Sequence, residues 1–426
     1  MTRGVLTAGA LALSLLVSGC VAGASSQGAP AADDQPFEGE VEFWTINLKK
    51  NYSDFITGLI GEYQKQHPKV TVKWVDVPGQ ESATKLLAAV ASGDVPDAVN
   101  ISSLDLGRFA PSLAPLDEHF KPADLADFQP NLVEPLRVDG KLYAVPWYNG
   151  GAPVAMYRTS VVGKAGFDEK APPKSFDEAL ALADKIYATT EINGMNAIPD
   201  HNALRYYGIK LLSDDKKTAT FNTPEAVAIL ERFKKSYDAH GIAPGAVSKD
   251  IRNLPQTLEN GQVAFKATAN AAELLNIQKN APDVYRDLTV TTPVRMSTGG
   301  FLLLAQQAFS IPKASTHKKA AAEFIKFFTN GANQLAFCKI VPIYPSTVSS
   351  TKDPFFSGSA GDDPMAVARS VIVKGLPELE YTPMGTAKDA ELGELLSEEV
   401  RAFLTGTKSA KEALDTAEKR WNDALA

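Results

Sequence analysis

The sequence predicts an α/β protein with mainly parallel sheets, divided into two domains. Residues 41–46 form a predicted strand, apolar residues between 55 and 63 recur at helical spacing, and residues 70–74 alternate as a second strand. A helix around residues 86–90 and a short buried strand at 97–101 complete the order βαβαβ, which produces parallel strands because each helix is a crossover. About 390 residues follow the first 36, which is too many for one small core.

Helices in the rest of the chain carry start signals of their own. Ser175 with Glu178 matches a capping box, and Pro224 stands at the first position of another predicted helix. Apolar residues recur on one face between 317 and 328, and the last predicted helix begins near Ser409. The chain therefore alternates strands with helices over its folded length.

The first 19 residues, 1–19, are predicted to be a signal peptide. Arg3 supplies a positive charge, and the apolar stretch 5–17 is only about 13 residues long, whereas a membrane-spanning helix needs about 20. Residues 17–20, Val-Ser-Gly-Cys, resemble the lipobox of bacterial lipoproteins, which implies cleavage before Cys20 and a lipid on that cysteine. Such a lipid tethers a protein to a bilayer without spanning it. The alternative is an ordinary secretory signal with a chance cysteine.

Residues 20–37 predict a flexible linker after the signal, because their small residues, polar residues and prolines bury too little surface to fold. Loss of Arg3 takes the 43 basic residues to 42 against 50 acidic ones, so the mature net charge is −8. A chain of this charge is not expected to bind nucleic acid. Cys338 has no partner if Cys20 is lipidated, and its apolar neighbours predict a small buried hydrophobe.

Six short segments recur in a recognisable order, although each one alone is weakly specific. They are Phe43-Trp44-Thr45, residues 92–100 (SGDVPDAVN), 140–146 (GKLYAVP), 259–265 (ENGQVAF), 309–313 (FSIPK) and 320–325 (AAAEFI). Their order resembles that of the extracellular solute-binding proteins (family 1) of carbohydrate ABC importers, a group that includes maltose-binding protein. The resemblance runs from about residue 40 to the end of the chain.

The resemblance implies an α/β, two-lobed periplasmic-binding-protein fold (type II), with mainly parallel sheets flanked by helices and joined by hinge segments. It places the crossings near Asn149, Ala308 and Thr329, with one lobe at 38–149 plus 308–330 and the other at 150–307 plus 331–426. A sugar would lie in the cleft between the lobes and pass unaltered to permease subunits in the membrane. The resemblance also implies a monomer without cofactors. The signal peptide and the lipobox-like residues 17–20 imply that the protein is exported and lipid-anchored to the outer face of the cytoplasmic membrane, or periplasmic if the cell has an outer membrane.

A sugar pocket needs planar hydrogen-bonding side chains for the hydroxyls and flat aromatic rings for the C–H faces. Open α/β sheets bind ligands at the carboxyl ends of their strands. Asn47 and Tyr52 follow the first predicted strand, and Asn100 and Ser102 end the third, so all four are expected to face the cleft. The alternative for each is an ordinary surface loop residue.

Two aromatic residues and an amide stand at the first predicted hinge. Trp147 is expected to be a stacking platform and Asn149 a polar contact, the alternative for the tryptophan being packing within the hinge. Gly300 and Tyr344 lie near the later crossings and are expected to bring backbone or ring close to the ligand.

The second lobe contributes the remaining candidates by its resemblance to the family. Asp200 and Asn202 occupy a segment where the family often places an acid and a nearby polar ligand-binding residue, Tyr206 follows near the cleft, and Asn270 matches a family loop that touches ligand. The tryptophan that maltose-binding protein has just after that loop is absent, and alanines and Glu273 stand there instead. A long maltodextrin stacked on several aromatics is therefore less expected.

Two other functions remain as alternatives. Adjacent Tyr206 and Tyr207 resemble the iron ligands of ferric-ion receptors, although a helix with one packed tyrosine is the simpler interpretation. A secreted glycoside-cleaving enzyme would use two carboxylates at a defined separation, which the sequence cannot exclude. The chain has no Gly-x-Ser-x-Gly elbow, and its five histidines are too far apart for a zinc helix motif, so we expect a binding protein and not an enzyme.

Overall fold

Strands and helices alternate along the chain, as the sequence predicts. The computed structural model describes residues 37–249, 256–357 and 361–426. The strands are β1 (Gly39–Ile46), β2 (Val70–Val77), β3 (Ala98–Ser102), β4 (Arg137–Val138), β5 (Lys141–Leu142), β6 (Val145–Asn149), β7 (Pro153–Arg158), β8 (Phe265–Asn270), β9 (Leu288–Thr291), β10 (Phe301–Leu302), β11 (Gln307–Ser310), β12 (Tyr344–Pro345) and β13 (Leu379–Glu380). Within these three ranges, no helix has the length and apolar character needed to cross a membrane.

The helices vary from single turns to more than four turns. They are α1 (Lys49–Gln66), α2 (Ser82–Ser92), α3 (Leu106–Phe109), α4 (Pro122–Leu125), α5 (Pro130–Val133), α6 (Thr159–Val162), α7 (Phe176–Thr190), α8 (His201–Tyr206), α9 (Pro224–Asp238), α10 (Glu273–Asn280), α11 (Pro282–Arg286), α12 (Lys318–Phe328), α13 (Gly331–Cys338), α14 (Val348–Thr351), α15 (Pro354–Ser357), α16 (Pro364–Gly375), α17 (Asp389–Leu404) and α18 (Ala410–Leu425). The side chains of Ser175 and Ser409 cap α7 and α18, as predicted, and Pro224 is the first residue of α9.

The larger sheet has six strands in the order β12-β6-β11-β3-β1-β2. Strand β1 pairs in parallel with β2 and β3, which confirms the predicted βαβαβ unit. Strand β11 is antiparallel to both β3 and β6, so the sheet is mixed. Its core is rich in aromatic rings, and Phe43 lies 4.9–5.2 Å from the centroids of Phe309, Phe324 and Phe328.

The smaller sheet has three strands in the order β8-β7-β9, and every pairing is antiparallel. The prediction of a mainly parallel second sheet is therefore wrong. Strands β8 and β9 both run back toward the start of β7, and parallel pairing is reduced to isolated bridges such as Asn193–Val263. Side chains of β7 alternate between two hydrophobic clusters, with Val154 and Met156 in one and Ala155 and Tyr157 in the other.

Short connections join the two sheets. Residues 150–152 lead from β6 to β7, and residues 292–306 return from β9 toward β11. The predicted division assigned 331–426 to the second lobe, whereas β12 pairs with β6 through Tyr344 and Asn149. Residues up to Pro345 therefore belong with the larger sheet, because β12 is its edge strand. The predicted signal peptide, Cys20 and the linker up to residue 36 lie outside the described residues.

A close approach at Gly194 fixes the chain beside β8. The backbone carbonyl of Gly194 accepts hydrogen bonds from the N–H groups of Ala264 and Phe265, both at 2.9 Å. A Cβ at residue 194 would collide with Ala183 on helix α7. Because close-packed interiors resist added volume, only glycine fits here without movement of α7.

We expect Gly194→Ala to lower the free energy of unfolding by about 1–3 kcal/mol, because α7 must shift to make room. Gly61→Ala is the matched control, since a Cβ on this glycine of α1 meets no atom within 4 Å. Alanine favours a helix by up to about 1 kcal/mol over glycine, so the control is expected to be unchanged or more stable. Urea denaturation of both variants measures the effect, and equal midpoints would contradict the packing argument.

Candidate functional site

A cavity of about 630 Å³ lies beside the smaller sheet. Its walls are the strand β8, the segment 195–206 that includes α8, one face of α17, and Phe176 at the start of α7. Gly151 and Leu304, from the two connections between the sheets, lie at its edge. Ligand pockets measure about 300–1,000 Å³, so this cavity has the size of a small-molecule site.

The start of α8 supplies two of the polar groups in the wall. The Asp200 carboxylate caps α8 and accepts a hydrogen bond from the Ala203 N–H at 2.9 Å. The Asn202 side-chain oxygen accepts one from Arg205 at 3.0 Å, and Arg205 also donates to the Thr382 hydroxyl at 2.6 Å. One hydrogen bond therefore orients each of the two side chains, and the second carboxylate oxygen of Asp200 and the amide N–H₂ group of Asn202 are not used in these bonds.

Tyr206 and Phe176 form the aromatic part of the wall. Their ring centroids are 5.0 Å apart and the rings meet edge to face. The Tyr206 hydroxyl lies 3.4 Å from the Thr268 hydroxyl on β8. Burial raises the pKa of Tyr206 to about 12, so the phenol stays protonated and remains a hydrogen-bond donor near neutral pH.

His201 packs against α17 where that helix has a glycine. A Cβ at Gly393 would approach the imidazole Cε1 to 2.8 Å, so a larger residue would displace the ring. Burial lowers the pKa of His201 below its ordinary value of 6.5, which keeps the ring neutral near pH 7. Its Nδ1 is buried and has no hydrogen-bond partner among the described residues.

Strand β8 contributes an ion pair and an amide. Lys266 is paired with Glu273 from the first turn of α10, and both residues line the cavity. Asn270 ends the strand, and its side-chain oxygen accepts a hydrogen bond from the Ala272 N–H at 2.8 Å. This bond fixes the turn into α10 and leaves the amide N–H₂ group for other contacts.

Helix α17 supplies a second ion pair. Arg401 donates to the Glu394 carboxylate at 2.7 Å, and the Arg401 side chain is only 9% exposed. The Arg401 Nε–H is buried and has no partner among the described residues. An unmade hydrogen bond of this kind costs about 1–3 kcal/mol of folding free energy, which the pairing of the same guanidinium with Glu394 partly offsets.

The charges in the wall nearly balance. Asp200, Glu273 and Glu394 are the carboxylates, and Lys266 and Arg401 are the cations, each bound to one of those carboxylates. With the imidazole of His201 neutral, the cavity presents donors next to acceptors and a small negative excess. Such a wall suits a ligand with many hydroxyl groups better than one with a free negative charge.

Four of the sequence-predicted residues line this cavity, and two others line a smaller one. Asp200, Asn202, Tyr206 and Asn270 belong to the main cavity. A second cavity of about 20 Å³ lies at the carboxyl ends of β1 and β3, and Asn100 and Ser102 line it. Asn100 is buried and donates to Gln307 and to the Ala308 carbonyl, both at 3.1 Å. Ser102 accepts a bond from the Leu104 N–H at 3.3 Å.

The residues at the predicted hinge are packed and line neither cavity. Trp147 is 1% exposed, and the Phe337 ring stacks on it with centroids 5.1 Å apart, so it is a core residue and not an exposed platform. Asn149 is buried and donates to the Pro345 carbonyl at 3.4 Å. Tyr344 pairs with Asn149 in the sheet and is also buried. At Gly300 a Cβ would collide with Glu380, so this glycine permits packing against β13.

Asn47 and Tyr52 also lie outside both cavities. Asn47 is exposed, has a positive φ of 57°, and accepts a hydrogen bond from the Gly79 N–H at 3.1 Å. Its side chain therefore organises the turn after β1. The Tyr52 ring lies edge to face with Phe337, 5.9 Å between centroids. Tyr52 interrupts the helical geometry of α1, with φ −130° and ψ 20°.

Sequence reasoning missed the residues of α17. Ala390, Gly393, Glu394, Ser397 and Arg401 line the cavity from one face of this helix, at spacings of three, four and seven. The sequence contains no specific signal for them, since Ser397 and Arg401 are polar residues beside the apolar Leu396 and Val400, and only the structure shows that all four are buried. Arg401 follows the rule that buried charges are paired, because Glu394 binds it from the preceding turns of the same helix.

The hydroxyls of the two adjacent tyrosines have different partners. The Tyr207 hydroxyl donates to Asp177 at 2.7 Å and its ring lies against Arg232, whereas the Tyr206 hydroxyl faces Thr268. The two hydroxyls therefore have different surroundings. Across the ranges that the structure describes, no group of three or more His, Cys, Asp or Glu side chains is placed to hold a metal ion.

The sequence pattern of the family described as bacterial extracellular solute-binding protein matches residues 49–335. This stretch is about two thirds of the chain, so the protein belongs to that family. It is the extracellular or periplasmic solute-binding protein of an ABC importer, a non-catalytic receptor whose partners are the permease subunits of the transporter.

Relatives with known names or structures agree with the family. The sn-glycerol-3-phosphate-binding periplasmic protein UgpB of Salmonella paratyphi A is 24% identical over 369 residues, which cover 80% of this chain and 82% of that one. The sugar-binding protein MalE from Xanthomonas citri has a TM-score of 0.75 and 21% identity, covering 91% of this chain and 97% of its own. The cyclic alpha-maltosyl-1,6-maltose binding protein from Arthrobacter globiformis has a TM-score of 0.74 and 20% identity, covering 91% and 99%. These structures confirm the periplasmic-binding-protein fold.

The buried imidazole predicts a pH dependence of stability. Below a pH of about 6.5 the unfolded chain takes up a proton that folded His201 resists, so stability falls as the pH drops. We expect His201→Gln to reduce the fall in melting temperature between about pH 7 and pH 5. Burial lowers the pKa of His119 in the same way, so His119→Gln should give a separate, additive reduction. Identical pH profiles for His201→Gln and the unmodified protein would contradict the burial of this ring.

Proposed function

We propose that this receptor captures an uncharged sugar, from a monosaccharide to a short oligosaccharide, in the cavity beside β8. The supporting observation is the wall itself, where ion pairs, amides and hydroxyls stand next to the rings of Phe176 and Tyr206. A sugar presents hydroxyls at its edge and C–H groups on its faces, and the wall offers a partner to each. The names of MalE and of the maltosyl-maltose binding protein are consistent with a sugar ligand.

The chemistry of the ion pairs favours hydroxyl groups. A hydroxyl both donates and accepts, and each pair places a cationic donor beside a carboxylate acceptor. Micromolar affinity requires about −8 kcal/mol, which several charge-assisted hydrogen bonds and one stacked ring supply after the cost of association. Selectivity then follows, because a sugar that leaves one buried partner unpaired loses about 1–3 kcal/mol.

Glycerol 3-phosphate, the ligand in the name of UgpB, is the rival ligand. A phosphate needs cations that are free to pair with it, as at sites with several unpaired arginines or lysines. In this cavity Arg401 is already bound to Glu394, Lys266 is bound to Glu273, and Asp200 adds a further negative charge. We therefore expect a phosphate monoester to bind more weakly than an uncharged sugar.

A thermal-shift screen tests the proposal. We expect at least one uncharged mono-, di- or trisaccharide to raise the melting temperature of the purified protein, because a ligand that binds only the folded state stabilises it. Glycerol 3-phosphate at the same concentration is expected to give a smaller shift. A shift with glycerol 3-phosphate and none with any sugar would replace the sugar by a phosphate ligand, and no shift with either would reject both.

The Asp200→Asn variant tests whether the sugar binds in this cavity. Asparagine caps a helix about as well as aspartate, so the fold is retained while the carboxylate is lost. We expect about a tenfold loss of sugar affinity by calorimetry, since hydrogen bonds to charged groups are the stronger ones. Asp363→Asn is the matched control, because Asp363 also caps a helix, α16, and lies outside the cavity. Equal losses in the two variants would place the sugar elsewhere.

We also propose that the protein is tethered to the outer face of the cytoplasmic membrane, or kept in the periplasm of a cell with an outer membrane, through lipid on Cys20. The support is the Val-Ser-Gly-Cys sequence at residues 17–20 and the 16 residues between it and the described fold. Acyl chains hold a protein at the bilayer without a spanning helix. The predicted linker would leave the lobes free to reach a permease.

We expect Cys20→Ala to move the protein from the membrane fraction to the soluble fraction, because the acceptor of the lipid is gone. Cys338→Ala is the matched control, since Cys338 is buried and its sulfur is out of reach of modifying enzymes. This second variant should remain with the membrane. Fractionation followed by immunoblotting measures both, and membrane retention of Cys20→Ala would contradict the lipid anchor.

A further inference from the structure

We propose that a cavity beyond the end of α8 binds a small organic anion with an apolar body, such as an aromatic or short-chain carboxylate. The cavity measures about 370 Å³ and lies between Arg205 of α8, the hairpin 211–220 and residues 382–384. We call it the hairpin cavity. Among the described residues, it shares no lining residue with the main cavity, so a ligand here does not depend on a sugar there.

The wall of the hairpin cavity is largely apolar. Its volume lies within the range of about 300–1,000 Å³ that is usual for small-molecule sites. Methionine side chains adapt to ligands of different shape, and an apolar wall gains stability when it is covered by an apolar group. The apolar lining residues come from three separate segments and are Ile209, Leu211, Leu212, Met296, Pro383 and Met384.

Positive charge exceeds negative charge in the same wall. The cations are Arg205, Lys210 and Lys216, and Asp214 is the single carboxylate among the described residues that line the cavity. Asp214 lies 2.5 Å from the Lys210 ammonium, so these two charges cancel. Across the described part of the chain, no carboxylate forms an ion pair with Arg205 or Lys216. An anion is the ligand that two such cations favour.

Arg205 is bound by neutral groups alone. Its guanidinium donates to the Asn202 side-chain oxygen at 3.0 Å and to the Thr382 hydroxyl at 2.6 Å, which orients it at the edge of the cavity. Burial lowers the pKa of Arg205, and the acidic groups around it, which include Asp389 and Asp200, offset this only in part. A carboxylate bound beside the guanidinium would offset the remaining cost of burying its charge.

Lys216 is held at the turn of the hairpin with its ammonium toward residues 382–385. Its backbone N–H donates to the Ser213 carbonyl at 2.9 Å, and its φ is 59°. The ammonium donates to the Gly385 carbonyl at 3.2 Å, and a Cβ at Gly385 would approach Nζ to 2.6 Å, so glycine makes room for the charge. An ammonium has three donors, and this bond uses one of them. The others are available to a carboxylate.

Calorimetry on the purified protein tests the two halves of the ligand separately. Benzoate and hexanoate combine a carboxylate with an apolar body, acetate has the charge without the body, and benzamide has the ring without the charge. We expect benzoate and hexanoate to bind at least about tenfold more tightly than acetate, because acetate buries little apolar surface. We expect benzamide to bind at least about tenfold more weakly than benzoate, because hydrogen bonds to charged groups are the stronger ones.

The Lys216→Gln variant tests whether the anion binds in the hairpin cavity. Glutamine removes the charge at an exposed position, so the fold is retained, and benzoate affinity is expected to fall by about tenfold. Lys217→Gln is the matched control, because Lys217 is the next residue of the same hairpin, is exposed and does not line the cavity. This variant should change benzoate affinity by less than about twofold.

Three results would overturn the inference. They are affinities for benzoate and hexanoate both weaker than about 10 mM, equal affinities for benzoate and acetate, and equal losses in Lys216→Gln and Lys217→Gln. The sugar proposal is judged separately, because Lys216 does not line the main cavity and Lys216→Gln should bind the sugar as the unmodified protein does. Benzoate binding without sugar binding would reject the proposed function and support this second site.

Discussion

The three residues between β6 and β7 constrain the rest of the structure. Asn149, the last residue of β6, is tied to β12, and Pro153, the first residue of β7, is paired with Asn270 at the end of β8. Such a short connection leaves the two sheets little freedom to separate at this point. It places Gly151 beside Pro153 and Asn270, and all three residues line the cavity, so the connection that joins the sheets also forms part of the cavity wall.

The polarity of the cavity follows from the cost of burying charge. Lys266 and Arg401 lie in a wall with little access to water, and each is stable there because a carboxylate is bound to it. The pairing cancels most of the charge but retains the hydrogen-bonding capacity of both partners. A receptor for an uncharged polar solute needs this combination, since it must replace the water around each hydroxyl without attracting the ions of the surrounding medium.

The hinge shows how one residue type serves two roles. Tryptophan stacks on a sugar when one face is open and fills a core when both faces are covered. Trp147 fills a core, because the rings of Phe309, Phe328 and Phe337 pack around it. The residues next to it in the sequence do not distinguish a covered tryptophan from an exposed one. Asn100 and Asn149 were also expected to contact a ligand, but their amides donate hydrogen bonds to backbone carbonyls inside the larger sheet. Their side chains form hydrogen bonds within the larger sheet and do not line the main cavity.

The sequence alone determined the order of strands and helices and the caps at Ser175 and Ser409, because these depend on residues that are close together in the chain. It also indicated the family, through the order of six short segments along the chain. The resemblance to the family also indicated Asp200, Asn202, Tyr206 and Asn270, and all four line the main cavity. Only the tertiary structure brought Glu394 and Arg401 to the same wall, across about 130 to 200 residues of intervening chain. It also decided that the second sheet is antiparallel and that Trp147 is covered. Periodicity and capping patterns predict secondary structure, which depends on neighbouring residues. A cavity depends on packing between segments that are far apart in the sequence.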